Sequence, residues 1–262
     1  MAVCGSHDAG MSKAPAVVLL HGFTNSGASW QPVISGLGQR YRAFAPDIRG
    51  HASASDQTPV TLDTVLQDLA AIDEPRFTLV GYSQGGRIAL HAALTMPERI
   101  ERLVLISASP GLEDARERSE RRAADERLAA EIETQTIEQF ATSWALTPVL
   151  AGVSPEVADA VHADRLRSTP QGLAAALRGL GTGTLPPLWH RLSEITLPTL
   201  IIVGERDQKF AEIGRQMHSR IPGVDRFLVV PGAGHAVHLE RPDAIADELE
   251  LVVPADQPVT EP

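Results

Sequence analysis

The chain reads as an α/β protein: a mostly parallel sheet flanked by helices, with a helical segment inserted into it. Three observations predict this. Short apolar runs alternate with stretches of helical periodicity. The alternation stops between Pro110 and about Leu192 and then resumes. The apolar run at 77–81 passes directly into a glycine-flanked serine and then into a helical pattern.

The strands are expected at Ala16–Leu20, 41–45, 77–81, 102–107, Thr199–Gly204 and 226–230. Their near-continuous apolar character, rather than strict alternation, is that of strands covered on both faces, as in a parallel sheet. Between them Leu62, Val65, Leu66 and Leu69 recur at helical spacing behind Thr61, a good N-cap residue. A second helix should start just after Ser83 and stop at Pro97, since proline has no amide hydrogen for a helix interior. A third runs from Asp243 to about Val252.

From 111 to 192 the pattern is helical throughout, with helices expected at 113–133, 137–146, 155–162 and 170–180. Because strands return afterwards, this stretch is an insertion into a core made of 16–110 and 193–253. At that point in the chain it would lie over the carboxyl ends of the strands as a lid. Residues 1–15 are small and polar, without the apolar stretch of a signal peptide, and are expected to be a disordered leader, with Met11 an alternative start. The polar tail 254–262 is expected to be disordered as well.

Composition narrows the function. With 43% hydrophobic and 21% charged residues the chain has an ordinary globular balance. A formal charge of −10 offers no basic footprint for nucleic acid or anionic membrane. An anionic substrate would be repelled by that average field and would need locally placed arginines. The single cysteine, Cys4, allows no internal disulfide and suggests a reducing compartment. No apolar run approaches the ~20 residues that span a bilayer, so a cytoplasmic location is expected.

Gly81-Tyr82-Ser83-Gln84-Gly85 is a G-x-S-x-G motif lying between a strand and a helix. There the glycines let the chain turn sharply, and the serine is presented at the helix N-terminus, where free amides favour negative charge. A serine hydroxyl is inert at neutral pH without a base. His235, beyond the strand at 226–230, is placed to be that base, and Asp207, after Thr199–Gly204, to orient it. Glu205 is the competing acid. His21-Gly22-Phe23 follows the first strand, where the Phe23 amide and that of Gln84 would converge on a developing oxyanion. His21 is expected to shape that loop. His235 and His238 are three apart, but no carboxylate or cysteine stands at supporting spacing, so no metal site is expected.

Arg87 lies one helical turn after Ser83, on the same face. It is either half of a buried ion pair or a substrate contact. The inserted segment adds Arg116, Arg118, Arg121, Arg122, Arg127, Arg165 and Arg167 among many carboxylates. Most are expected on solvated helix faces, and a subset facing the cleft would bind carboxylate through guanidinium forks.

From about Ala16 to Val252 the chain resembles the 2-succinyl-6-hydroxy-2,4-cyclohexadiene-1-carboxylate synthase family of menaquinone biosynthesis, members of the α/β-hydrolase superfamily. The resemblance is carried by LLHGF at 19–23, GYSQGGR at 81–87, PGLEDARERSER at 110–121, LRS at 166–168, GERDQKF at 204–210 and GHAVHLERP at 234–242. It implies an α/β-hydrolase fold and a triad of Ser83, Asp207 and His235. It further implies that Arg87, Arg121 and Arg167 hold substrate carboxylates, and that Tyr82, Trp144 and Phe23 line the pocket. The implied reaction is a lyase step, proton abstraction followed by pyruvate elimination, on a small multi-carboxylate substrate. It needs no cofactor or metal. Two positions depart from the family pattern: Gln84 stands where leucine is frequent, and Ala52 where the segment after Asp47 usually reads G-H-G. The same residues would also serve a serine hydrolase, whether carboxylesterase or carbon–carbon bond hydrolase, or a ligand receptor built on the scaffold. Oligomeric state, monomer or small homo-oligomer, is left open.

Overall fold

Strand β1 (Ala16–Leu20) is buried at every position, the reason its sequence is apolar without alternation. The structure, a computed structural model, describes residues 14–147 and 153–253. The expected leader lies outside the described residues apart from Ala14 and Pro15, and the tail lies wholly outside them. Ala14 and Pro15 are tied down, because the side chain and amide of Arg42 donate to their carbonyls at 2.8 and 2.9 Å.

The remaining strands are β2 (Arg42–Phe44), β3 (Phe77–Tyr82), β4 (Ile100–Ile106), β5 (Thr199–Gly204) and β6 (Val224–Val230). Among the described residues they form one sheet of order β2-β1-β3-β4-β5-β6, every pairing parallel. From β1 the chain moves outward in one direction to β2, and from β3 in the other to β4. Loops leaving the carboxyl ends of β1 and β3 therefore diverge, and a crevice opens between them. The register pairs Leu20 with Gly81. The segments carrying Phe23 and Ser83 thus start side by side.

Two cores cover the faces. One packs Val18, Leu20, Leu79 and Leu103 against α2 (Leu62–Ala70), α3 (Gln84–Thr95) and α8 (Gln208–His218). The other packs Val17, Leu19, Val80 and Val104 against α1 (Gln31–Leu37), the single turn α9 (Val237–Glu240) and α10 (Pro242–Val252). Helices α1 and α8 carry weak sequence signals. In α1 a proline, a glycine and two β-branched residues leave little intrinsic helicity, and packing on α10 supplies the stability. Helix α8 begins directly at Asp207, whose side chain caps it.

Between β4 and β5 run α4 (Ala115–Glu133), α5 (Ile137–Trp144), α6 (Pro155–Arg165) and α7 (Pro170–Leu180). Helix α6 is one turn longer than the expected 155–162. The first two start from side-chain caps, Asp114 to the Glu117 amide and a Thr136–Gln139 capping box. Ala129, Ile132, Phe140, Leu173 and Leu177 make a separate small core in the inserted segment, and Phe23 packs against both it and the main core. Arg178 on α7 bridges Glu126 and Glu133 on α4.

The elbow glycines are required by closeness of backbones. A Cβ at Gly85 would stand 2.3 Å from the Leu20 carbonyl oxygen, and one at Gly81 2.5 Å from the Gly85 oxygen. Replacing Gly85 by alanine should push α3 off the end of β1 and lower unfolding free energy by ~1–3 kcal/mol or more. Urea unfolding checks this: an unchanged midpoint would mean that the helix yields without cost.

Candidate active site

Ser83 occupies the junction of β3 and α3 with φ 52° and ψ −107°, a left-handed conformation rare for a residue with a side chain. The turn lifts Oγ clear of the sheet, 3.1 Å from His235 Nε2. His235 Nδ1 stands 2.6 Å from Asp207 Oδ2. A carboxylate only accepts, so Nδ1 carries the ring proton and Nε2 presents a lone pair to the Ser83 hydroxyl. Asp207 is held by its other oxygen, which accepts from the Phe210 amide at 3.3 Å as the cap of α8. Glu205 is engaged elsewhere, accepting from the Gly232 amide at 2.8 Å. The structure thus brings the three sequence-predicted groups into one chain of hydrogen bonds.

A cleft of about 330 Å³ opens over Ser83 and His235. Phe23, Gln84, Tyr82 and Trp144 line it, with Trp144 edge-on to Phe23 at 5.5 Å. Among the described residues the amides of Phe23 and Gln84 meet no acceptor and are free to receive one. The Gln84 side chain turns instead to the inserted segment, its Nε2 3.5 Å from the Leu180 carbonyl. Phe210, overlooked in the sequence, packs 4.5 Å from the His235 ring, and Lys209 beside it also lines the cleft. The capping pattern of an aspartate just before a helix could have revealed both.

Arg87 is 9% exposed and lines the cleft. Among the described residues no carboxylate pairs with it, and its Nε has no acceptor. Burial, and secondarily the nearby Arg121, pull its pKa down to about 10, so it is charged at neutral pH. A buried guanidinium without a counter-charge costs several kcal/mol. Arg121 also lines the cleft, donating from Nε to Asp125 at 2.7 Å. The two arginines further wall a neighbouring cavity of about 650 Å³.

Arg167 corrects an expectation. It sits in the turn after α6, half exposed, 3.9 Å from Asp164, in a groove with Ala28 and Pro32 away from Ser83. Arg165 points into the cleft instead, 2% exposed, its Nε donating to Thr24 Oγ1 at 3.3 Å. Two residues along a helical turn rotate a side chain by roughly 200°, so only one of the pair can face the cleft. Burial lowers the Arg165 pKa to about 10, against the partly offsetting pull of Tyr82 and Asp164.

Two further histidines, His21 and His238, pack or hydrogen-bond within the fold rather than with the Ser83 hydroxyl. His21 Nε2 accepts from the Ile48 amide at 2.9 Å, so its Nδ1 donates to the Gly22 carbonyl at 2.9 Å and the ring fixes the loop carrying Phe23. His238 lies between Trp30 and Tyr82, with ring centroids at 4.5 and 4.2 Å, behind the triad rather than beside it. Ala52, in the position where glycine was noted as usual, adopts φ 39°. Its amide donates to Ser168 Oγ at 3.0 Å.

The alpha/beta hydrolase family matches the chain over residues 17–248. A Bacillus subtilis (strain 168) protein, provisionally named 2-succinyl-6-hydroxy-2,4-cyclohexadiene-1-carboxylate synthase, is 38% identical over 245 residues, 90% of this chain and 89% of its own. A Salmonella paratyphi A protein of that name is 29% identical over 261 residues, 97% of this chain and 99% of its own. Among solved structures, MenH from S. aureus superposes with a TM-score of 0.85 at 31% identity, covering 92% of this chain and 93% of that one.

Burial holds His21 and His91 down to a pKa of about 4, and His51 and His238 to about 3, from an ordinary 6.5. Above pH 6.5 neither folded nor unfolded chain protonates them. Below it only the unfolded chain does, so stability is full above 6.5 and falls as pH drops towards 4. Each should subtract up to roughly 1.4 kcal/mol per pH unit. Urea-unfolding free energies between pH 7.5 and 5 test this. A flat profile would contradict neutral buried rings.

Proposed function

The chain belongs to the alpha/beta hydrolase family and, within it, to the 2-succinyl-6-hydroxy-2,4-cyclohexadiene-1-carboxylate synthases, and we propose that it carries out their pyruvate elimination through Ser83, His235 and Asp207. The substrate is 2-succinyl-5-enolpyruvyl-6-hydroxy-3-cyclohexene-1-carboxylate. The observation that carries this reading is Arg87: a buried cation, one turn from the nucleophile position, that makes no ion pair among the described residues, the nearby Asp125 being engaged by Arg121. Such a group is compensated when a carboxylate of the substrate arrives. Arg121 and Arg165 supply the further cations that an acidic chain needs to hold a polyanion.

The chemistry balances without water or cofactor. The Ser83 proton passes to His235 Nε2, and the serine oxygen removes the ring proton α to the succinyl carbonyl. The carbonyl becomes an enolate, its oxygen held by the amides of Phe23 and Gln84. As the carbonyl re-forms, the electron pair shifts through the ring double bond and breaks the carbon–oxygen bond to the enolpyruvyl group. The departing enolate of pyruvate takes up the proton held on His235, which leaves a neutral imidazole beside Ser83, already a hydroxyl again through the proton it took from the ring. Asp207 steadies the imidazolium throughout. The arginines orient the ring so that the correct C–H faces Ser83.

The same triad would support ester hydrolysis, and the arginines separate the readings. The substrate is generated in situ, and pyruvate release is followed together with diene absorbance. Wild type should give equimolar pyruvate and diene, and Ser83→Ala should fall by about 10³-fold or more. Arg87→Ala and Arg165→Ala should each lower kcat/KM by at least about tenfold, chiefly through KM for Arg165, while Arg167→Ala stays near wild type. No acceleration over the spontaneous reaction, alongside turnover of simple aryl esters by wild type and Arg87→Ala alike, would leave an ordinary hydrolase.

A further inference from the structure

The Phe23 amide rides on a turn that its own residues do not favour. The Asn25 amide closes that turn onto the Gly22 carbonyl at 3.2 Å, and Thr24 within it has φ 68°. For a β-branched residue this left-handed conformation is an outlier, and it persists only where the surroundings over-determine it. His21 holds the start of the turn from within the sheet domain, and Asp47 takes the Gly27 amide at 2.8 Å beyond it. The middle is held from the inserted segment. Asp164, near the end of α6 and 8% exposed, accepts from the Ser26 amide at 2.8 Å through Oδ2 and from the Ser26 hydroxyl through Oδ1. Its neighbour Arg165 reaches Thr24 Oγ1. Ser26 is wholly buried, so both of its donors depend on that one carboxylate.

We propose that Asp164 is a positioning residue for the oxyanion site, setting the Phe23 amide through its two-point grip on Ser26. The inference rests on the role given to the Phe23 amide in the proposed function. It adds that the donor is competent only while α6 is seated on the loop. The inserted segment then does more than cover the cleft: its two adjacent residues divide the work, Arg165 binding substrate charge and Asp164 holding the donor that stabilises the oxyanion. Loss of the grip should therefore lower kcat while leaving KM nearly unchanged, the opposite split from loss of Arg165.

The test uses an uncharged alkyl fluorophosphonate, which needs the oxyanion site but none of the arginines. The Ser83 Oγ–phosphorus bond forms as the phosphorus–fluorine bond breaks. The hydroxyl proton passes to His235, fluoride leaves, and the phosphoryl oxygen lies against the Phe23 and Gln84 amides. Labelling rates are normalised to folded protein and compared with steady-state kcat and KM. Asp164→Ala should label about tenfold more slowly or worse, and Ser26→Ala should be slowed in the same direction. Asp164→Asn should stay within about threefold of wild type, because its amide can still accept from the Ser26 N–H and donate to the Ser26 oxygen. Arg167→Ala, which removes only the neighbouring cation, should label at the wild-type rate. Should Asp164→Ala prove unfolded, Ser26→Ala carries the comparison. Wild-type labelling by folded Asp164→Ala or by Ser26→Ala, or an Asp164→Asn as slow as the alanine variant, overturns the proposal. Because labelling does not involve pyruvate elimination, it decides the matter even if that reaction is absent.

Discussion

The close seating of α3 against the carboxyl ends of β1 and β3 is the constraint from which the rest of the site follows. It needs Gly85 beneath the carbonyls of Leu20 and His21, and it leaves Ser83 in a left-handed conformation at the first turn of the helix. A strained residue of this kind costs of order 1–3 kcal/mol, offset by the packing of β1 and β3, both buried at every position. In return the hydroxyl stands clear of the sheet, and the amide of Gln84 points outward with no acceptor of its own. The His235 and Phe23 loops need only reach that fixed point, and the parallel sheet delivers both to the same edge.

Charge is distributed against the average. A chain with a net charge of −10 concentrates Arg87, Arg121 and Arg165 around one cleft, and two of them are buried enough for their pKa to fall to about 10. Away from the cleft, guanidinium groups are satisfied in ordinary ways: Arg178 by Glu126 and Glu133, Arg116 by Glu120, Arg118 by the carbonyls of Leu112 and Glu113. Surface arginines are thus paired, whereas the buried Arg87 makes no ion pair among the described residues, the contrast on which its proposed binding role rests. Among the described residues no helix is long and apolar enough to cross a membrane.

Besides the packing of Ala176 and Leu180 into the main core, a short polar stretch fastens the inserted helices to the sheet domain. Asp164 and Arg165 grip the 24–26 loop, Ser168 takes the Ala52 amide, and the Thr169 amide donates to Ser55. Two of the residues held in this way, Thr24 and Ala52, have left-handed backbones that their side chains disfavour. Local conformational preference is overruled there by contacts from a distant part of the chain, which makes the loop geometry a property of the assembled domain.

Much of this was legible in the sequence. Strands buried on both faces announce themselves as apolar runs, and Ser83, Asp207 and His235 each follow a different run, so a parallel sheet must gather them at one edge. Helices expected at 113–133 and 170–180 from a stretch without strand pattern are found at 115–133 and 170–180, each behind a side-chain cap. Helix α1 was not legible, because its stability comes from α10, more than two hundred positions away. Nor could the sequence place Arg165 and Arg167, of which the resemblance named Arg167, because the outcome depends on how the end of α6, at Arg165, is rotated before the chain turns off at Arg167. Asp164 sets that rotation by meeting Ser26, a contact 138 residues apart in the chain. The sequence by itself thus determined the layers, the placing of Ser83, Asp207 and His235 at one sheet edge and the presence of excess arginines, since these depend on local pattern and chain order. Only the tertiary structure decided which arginine faces the cleft and what holds Ser26 in the loop after Phe23, because both depend on contacts that no local periodicity encodes.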